Sequence, residues 1–112
     1  MRRWLPVLAA FAAVLLLACK ADEIGKVRPG TVFVAAQDSF FTPDTITVSL
    51  GVPVRWTNEG TVYHSVASDS LLWQSNLLAP TWWFEVRFDS AGTFPYHCTQ
   101  HSGMVGTVVV QP

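Results

Sequence analysis

One short stretch of the chain, Tyr96-His97-Cys98-Thr99-Gln100-His101-Ser102-Gly103-Met104, carries a thiol, an imidazole and a thioether at three-residue intervals. Cys98, His101 and Met104 alternate with small or polar residues, and Gly103 lets the loop turn tightly. Soft donors of this kind favour copper over magnesium or calcium. A trigonal site needs a second imidazole, and the chain has only 3 His. His64 is the candidate, placed after a turn at the start of a short apolar segment. The third, His97, neighbours Cys98 in an extended segment. Successive side chains there point to opposite faces, so His97 is expected to be exposed and not a ligand. Singly, each residue has an ordinary role: a buried Cys is a small hydrophobe, a Met fills core, a His sits at the surface. Their joint spacing is what points to a metal, with His64, Cys98 and His101 in one plane and Met104 as a long axial donor.

The surrounding sequence reads as strands separated by turns. Val32-Phe33-Val34 is the first strand candidate. Ile46, Val48 and Leu50 alternate with Thr45, Thr47 and Ser49, the pattern of a half-buried strand. Val54, Trp56 and Asn58 alternate after the Gly51-Val52-Pro53 turn, and a short strand is expected from His64 to Ala67. Trp82, Phe84, Val86 and Phe88 share one face of the next. Thr93 to Cys98 and Gly106 to Val110 complete the set. Helical spacing is weak throughout, with at most one helical turn between Leu71 and Leu78. Many short strands at close spacing make an all-β sandwich or barrel. The apolar residues Leu71, Leu72, Trp73, Leu77 and Leu78 either extend a docking patch or pack into the core.

Composition narrows the function classes. The net charge of −1 offers no basic footprint for nucleic acid, and 50% hydrophobic residues with 13% charged ones exclude a disordered chain. The 2 Cys are too few for a disulfide framework. Met1-Arg2-Arg3 precedes an uncharged run from Trp4 to Ala18, which is short of the ~20 residues of a membrane span and reads as a secretory signal. The run ends Leu16-Leu17-Ala18-Cys19, which resembles the bacterial lipoprotein box. That resemblance implies a signal peptide over residues 1–18, a lipid on Cys19, and attachment to a membrane. Residues 19–30 then form a polar tether and residues 31–112 the domain. With Cys19 lipidated, Cys98 has no disulfide partner.

The domain resembles the cupredoxins of the plastocyanin and amicyanin type. The matching stretches are Phe41-Thr42-Pro43 ahead of Ile46-Thr47-Val48, then Gly51 to Asn58, His64-Ser65-Val66, Gly92 to Cys98, and Met104 to Val110. The short Cys-x2-His-x2-Met loop is similar to that of amicyanin. The resemblance implies a Greek-key β-sandwich, one copper bound by His64, Cys98, His101 and Met104, and electron transfer to partner proteins docking near His101. It implies an exported, monomeric protein facing the periplasm or cell exterior. A copper chaperone or store is the alternative on the same ligands. Copper enzymes of this fold need further His pairs, and a two-copper electron-transfer centre needs two Cys in the loop; with 3 His and one loop Cys neither is met, so no enzymatic activity is expected. Ser65 stands where several cupredoxins have an Asn that ties the two ligand loops together; Thr99 offers a compensating hydroxyl.

Overall fold

Strand β3 (Thr45–Ser49) shows how the alternation becomes structure. Ile46 and Val48 are buried between exposed Thr45, Thr47 and Ser49, because a strand sends successive side chains to opposite faces. Strand β8 (Val105–Gln111) repeats the pattern with Gly106, Val108 and Val110 inward, and the two pair in parallel with Ile46 opposite Val108 and Val48 opposite Val110. The computed structural model describes residues 30–112. The leader, Cys19 and all of the tether except Gly30 lie outside the described residues.

The other strands are β1 (Val32–Ala36), β2 (Phe41–Thr42), β4 (Pro53–Asn58), β5 (Ala67–Ser68), β6 (Trp83–Arg87) and β7 (Gly92–His97). They form two four-stranded sheets, ordered β2-β1-β4-β6 and β3-β8-β7-β5. The chain passes back and forth between the sheets, giving the all-β Greek-key sandwich that the resemblance implies. No helix forms among the described residues, and Leu71 to Leu78 is a turn and bridge segment instead. The strand expected at His64–Ala67 is displaced. Its regular pairing with β7 covers only Ala67 and Ser68, while His64 makes an isolated bridge to Leu78. The Asn58 side chain donates to the Val62 carbonyl in the loop before His64 and to the Leu78 carbonyl, so His64 is reached through a loop that Asn58 holds.

Between the sheets sits an aromatic core. Trp56 lies edge-on to Tyr96 at 5.3 Å between ring centroids and 5.4 Å from Trp73. Phe41 meets Tyr96 at 4.9 Å. Such rings bury large areas and add ~0.5–1.5 kcal/mol per well-oriented pair. Tyr96 also passes over Gly106, its partner in the β7–β8 register. A Cβ at Gly106 would overlap the Tyr96 ring, so glycine is required there for the backbone to approach the aromatic. On the outer face of β4, Arg55 is only 7% exposed. Its Nε donates to Glu85 Oε1 at 3.0 Å, and its guanidinium lies 3.7 Å from the Trp83 ring centre. The aromatic lid and the carboxylate together offset the cost of desolvating a cation.

The Tyr96 hydroxyl is buried without a hydrogen-bond partner in acceptable geometry. Burial pushes it up to about 12; the neighbouring Trp56 indole pulls weakly the other way and the charge of Asp44 adds to the rise. A folded-state value above the unfolded one, near 10, means this contribution to stability is fully present below pH 10 and lost as pH rises through 12. It amounts to about 3 kcal/mol. Urea unfolding of the metal-free chain between pH 8 and 12 is therefore expected to show a steep alkaline loss that Tyr96→Phe lacks; equal slopes in the two proteins would contradict this account.

Candidate metal centre

Strand β7 runs straight into Cys98, and the return into β8 is closed by the Cys98 N–H donating to the Met104 carbonyl at 2.9 Å. Met104 N–H in turn donates to the His101 carbonyl at 3.3 Å. The three sequence-predicted donors of this loop thus belong to one tight hairpin connection. Gly103 at φ +82° supplies the left-handed turn. His64 arrives from the other side. It exchanges backbone hydrogen bonds with Leu78, at 3.1 and 2.7 Å. Its loop is wound around Asn58, which donates from Nδ2 to the Val62 and Leu78 carbonyls, both at 2.8 Å, and accepts from Gly60 N–H at 2.8 Å.

The result is a cluster. Cys98 Sγ lies 3.8 Å from His64 Nδ1 and 3.6 Å from His101 Nδ1. All three donor atoms fall within 4.8 Å of one another. A first-row metal with sulfur at ~2.3 Å and imidazole nitrogen at ~2.0 Å in near-trigonal geometry separates those donors by about 3.7 Å. The residues present fit such an ion. His64 is fully buried and Cys98 is 3% exposed, whereas His101 is half-buried and reaches the surface. The Ser65 and Gln100 N–H groups both donate to Cys98 Sγ at 3.4 Å, and a sulfur ligates a metal as the thiolate. Met104 is buried at 1% exposure against the core.

His97 stays out of the cluster. Its Nδ1 lies 2.6 Å from Asp69 Oδ1 on the outer face, as the alternation of β7 requires. Ser65 and Thr99 meet, with their hydroxyls 2.6 Å apart and Thr99 N–H donating to Ser65 Oγ at 2.9 Å. Two short side chains therefore tie the loops together where one longer amide would do so. The apolar residues of the long segment divide. Leu78 is buried and Trp73 packs on the core, while Leu71, Leu72 and Leu77 are exposed. Leu71 and Leu72 follow Asp69, whose N–H donates to Pro95 O, so the chain there runs down β7 and away from Cys98.

The sequence gives no sign of Asp38. It stands in the turn after β1, and its Oδ1 is 3.3 Å from the outer nitrogen of His64. Thr61 donates to it twice, from N–H to Oδ1 and from Oγ1 to Oδ2, each at 2.7 Å. These bonds, the Thr61 hydroxyl foremost, hold the Asp38 carboxyl down at about 2. Nothing in the spacing of a lone Asp distinguishes it from a solvated turn residue; only the fold brings it to His64.

Comparison with known proteins gives a consistent set. Residues 7–110 match the family model of the cupredoxin-like domain. Amicyanin-alpha of Methylorubrum extorquens is 33% identical over 111 residues, covering 93% of this chain and 92% of that protein. Chloroplastic plastocyanin of Tetradesmus obliquus is 34% identical over 84 residues, covering 63% of this chain and 58% of that longer protein. Among solved structures, the Cu(I) form of an amicyanin variant superposes with a TM-score of 0.71 at 27% identity, covering 77% of this chain and 87% of that one. A purple cupredoxin from Nitrosopumilus maritimus gives 0.68 at 26% identity, covering 71% and 99%.

Ser65→Ala removes the acceptor of Thr99 N–H and the hydroxyl pair at once. It is expected to lower the stability of the metal-free chain by about 1 kcal/mol, read by urea unfolding, and to speed amide exchange across residues 98–104. Unchanged exchange in that loop would show that the two loops are held by other contacts.

Proposed function

The chain belongs to the cupredoxin-like family, and from that membership and the donor cluster we propose that it is a mononuclear blue copper protein that carries electrons between redox partners outside the cytoplasm. The observation that carries this reading is the Cys98 sulfur set between two imidazole Nδ1 atoms at 3.6 and 3.8 Å. His64, Cys98, His101 and Met104 would hold one copper. Bound there, copper would supply a one-electron Cu(I)/Cu(II) couple tuned by its ligands and by hydrogen bonds to the sulfur.

The chain's own part is to hold the donors still and to exclude water. His64 is fixed by its backbone bridge to Leu78, and Cys98 Sγ is fixed by two N–H donors. His101 is the ligand nearest solvent and the point of entry and exit for electrons. Val62, Tyr63 and Leu77 are exposed beside His64 and its bridge partner Leu78, and they form the apolar rim on which a redox partner docks. The donor cluster and membership of the cupredoxin-like family support a carrier role. The Leu16-Leu17-Ala18-Cys19 sequence supports export and a lipid on Cys19 that tethers the carrier to the membrane.

Copper loading of the chain is expected to give one copper per molecule and an intense blue absorption from thiolate-to-copper charge transfer. Cys98→Ser should abolish the colour, because a hydroxyl cannot replace the covalent thiolate bond; a blue Cys98→Ser protein would sink the assignment. Met104→Leu should keep copper and colour and raise the reduction potential, since losing the thioether disfavours Cu(II) more than Cu(I). A potential that falls or stays fixed by voltammetry would remove Met104 from the ligand set. Rapid surrender of copper by the wild-type chain to a mild chelator, with no blue band, would favour a chaperone or store.

A further inference from the structure

A neutral imidazole has one N–H and one lone pair, and which nitrogen carries which depends on the partners. His64 turns Nδ1 to Cys98 Sγ, so Nε2 is its outer nitrogen. That nitrogen is in a fully buried ring, where an unpaired donor would cost ~1–3 kcal/mol. Asp38 Oδ1, at 3.3 Å, meets it. The structure assigns Asp38 as the positioning residue of the copper site: its carboxylate accepts from His64 Nε2–H, fixes the tautomer that leaves the Nδ1 lone pair free for the metal, and places a negative charge behind that ligand. This deepens the copper reading above and rests on it.

Three features show that the contact is built. The carboxylate is held on both oxygens by Thr61, which leaves it no freedom to swing to solvent. Thr61 lies in the same loop as His64, so the turn after β1 and the ligand loop are joined through this one group. Gly60 lies alongside: a Cβ there would overlap Asp38 Oδ1 and come within 3.0 Å of His64 Nε2. The glycine is therefore the space through which the carboxylate reaches the ring. An ionised carboxylate is an acceptor only, and both of its oxygens already accept from Thr61.

The consequence is electronic as well as geometric. An anionic acceptor makes the imidazole a stronger donor, and groups behind a metal-bound His change metal affinity by ~10–100-fold when removed. Asp38 is half exposed to solvent, which screens its charge, so the lower end of that range applies. Cu(II) depends on a strong donor more than Cu(I) does, so Asp38 holds the reduction potential down.

The test uses the full chain with Asp38→Ala and Asp38→Asn. Asn is nearly isosteric: its amide oxygen accepts from His64 and from Thr61 N–H, and its NH2 donates to the Thr61 hydroxyl, so this variant folds and loses the charge alone. In the metal-free proteins, nitrogen-15 NMR of the His64 ring is expected to show the Nε2–H tautomer with slow proton exchange in wild type and in Asp38→Asn. Asp38→Ala should show mixed tautomers and fast exchange. With copper, Asp38→Ala should bind Cu(II) about tenfold more weakly with Cu(I) little changed, and that tenfold ratio is a 59 mV rise in potential for a one-electron couple; Asp38→Asn should fall between. A wild-type tautomer and exchange rate in Asp38→Ala would overturn the assignment. A wild-type chain that takes up no copper would defeat the copper reading instead, and the metal-free spectra would still decide the role of Asp38.

Discussion

Everything at the candidate site converges on one sulfur atom. Cys98 Sγ is faced by two imidazoles and receives two backbone N–H groups, from Ser65 and Gln100. Those groups come from segments more than thirty positions apart in the chain, and no local conformation could hold them together. The sandwich does so because β7 ends at His97, next to Cys98, while β4 ends at Asn58, whose side chain gathers the loop leading to His64. A sulfur with fixed N–H donors and fixed imidazoles is a preorganised pocket.

That preorganisation depends on the core behind it. Tyr96 is two residues from Cys98 on the same inward face of β7, and it is wedged among Phe41, Trp56 and the bare backbone of Gly106. The orphaned Tyr96 hydroxyl and Trp56 N–H represent an accepted cost: each loses water without gaining a partner, and the ring packing offsets it. Replacing a buried Trp with Ala costs ~3–5 kcal/mol, on the scale of the whole stability of a small domain. The aromatic cluster thus fixes the base from which the Cys98 loop springs. An electron carrier requires this, since movement of the ligands between oxidation states adds directly to the barrier for transfer.

The sequence made part of this legible. Alternation of Ile46 and Val48 with Thr45, Thr47 and Ser49 predicts a strand that forms with those two residues inward, and the strand expected over Gly106 to Val110 forms within Val105–Gln111. The loop from Cys98 to Met104 is legible because its residues are local: a short spacing puts Cys98, His101 and Met104 in one connection. His64 is legible only by scarcity, as one of 3 His in the chain. The failures have a common cause. The strand expected from His64 to Ala67 pairs with β7 only at Ala67 and Ser68, because His64 bonds to Leu78 and the Val66 N–H donates to the Ser75 hydroxyl. Asp38 is invisible for the same reason: its importance lies wholly in a contact 26 positions away.

The two histidines are not equivalent, and the inequality follows from how the chain reaches them. His64 is buried, bridged through its backbone to Leu78, and held at its outer nitrogen by Asp38 and through it by Thr61. His101 stands in a tight connection between two strands, half-buried, with its carbonyl tied to Met104 N–H and its ring open to solvent on one side. One imidazole therefore belongs to the rigid body of the sandwich and the other to its rim. A buried ligand cannot serve as a contact for a partner protein, and an exposed one cannot be shielded from water and protons. Dividing the roles resolves the conflict: under the proposed function His64 with Asp38 would fix the geometry and the charge of the site, and His101, nearer solvent, would provide the short path to the surface.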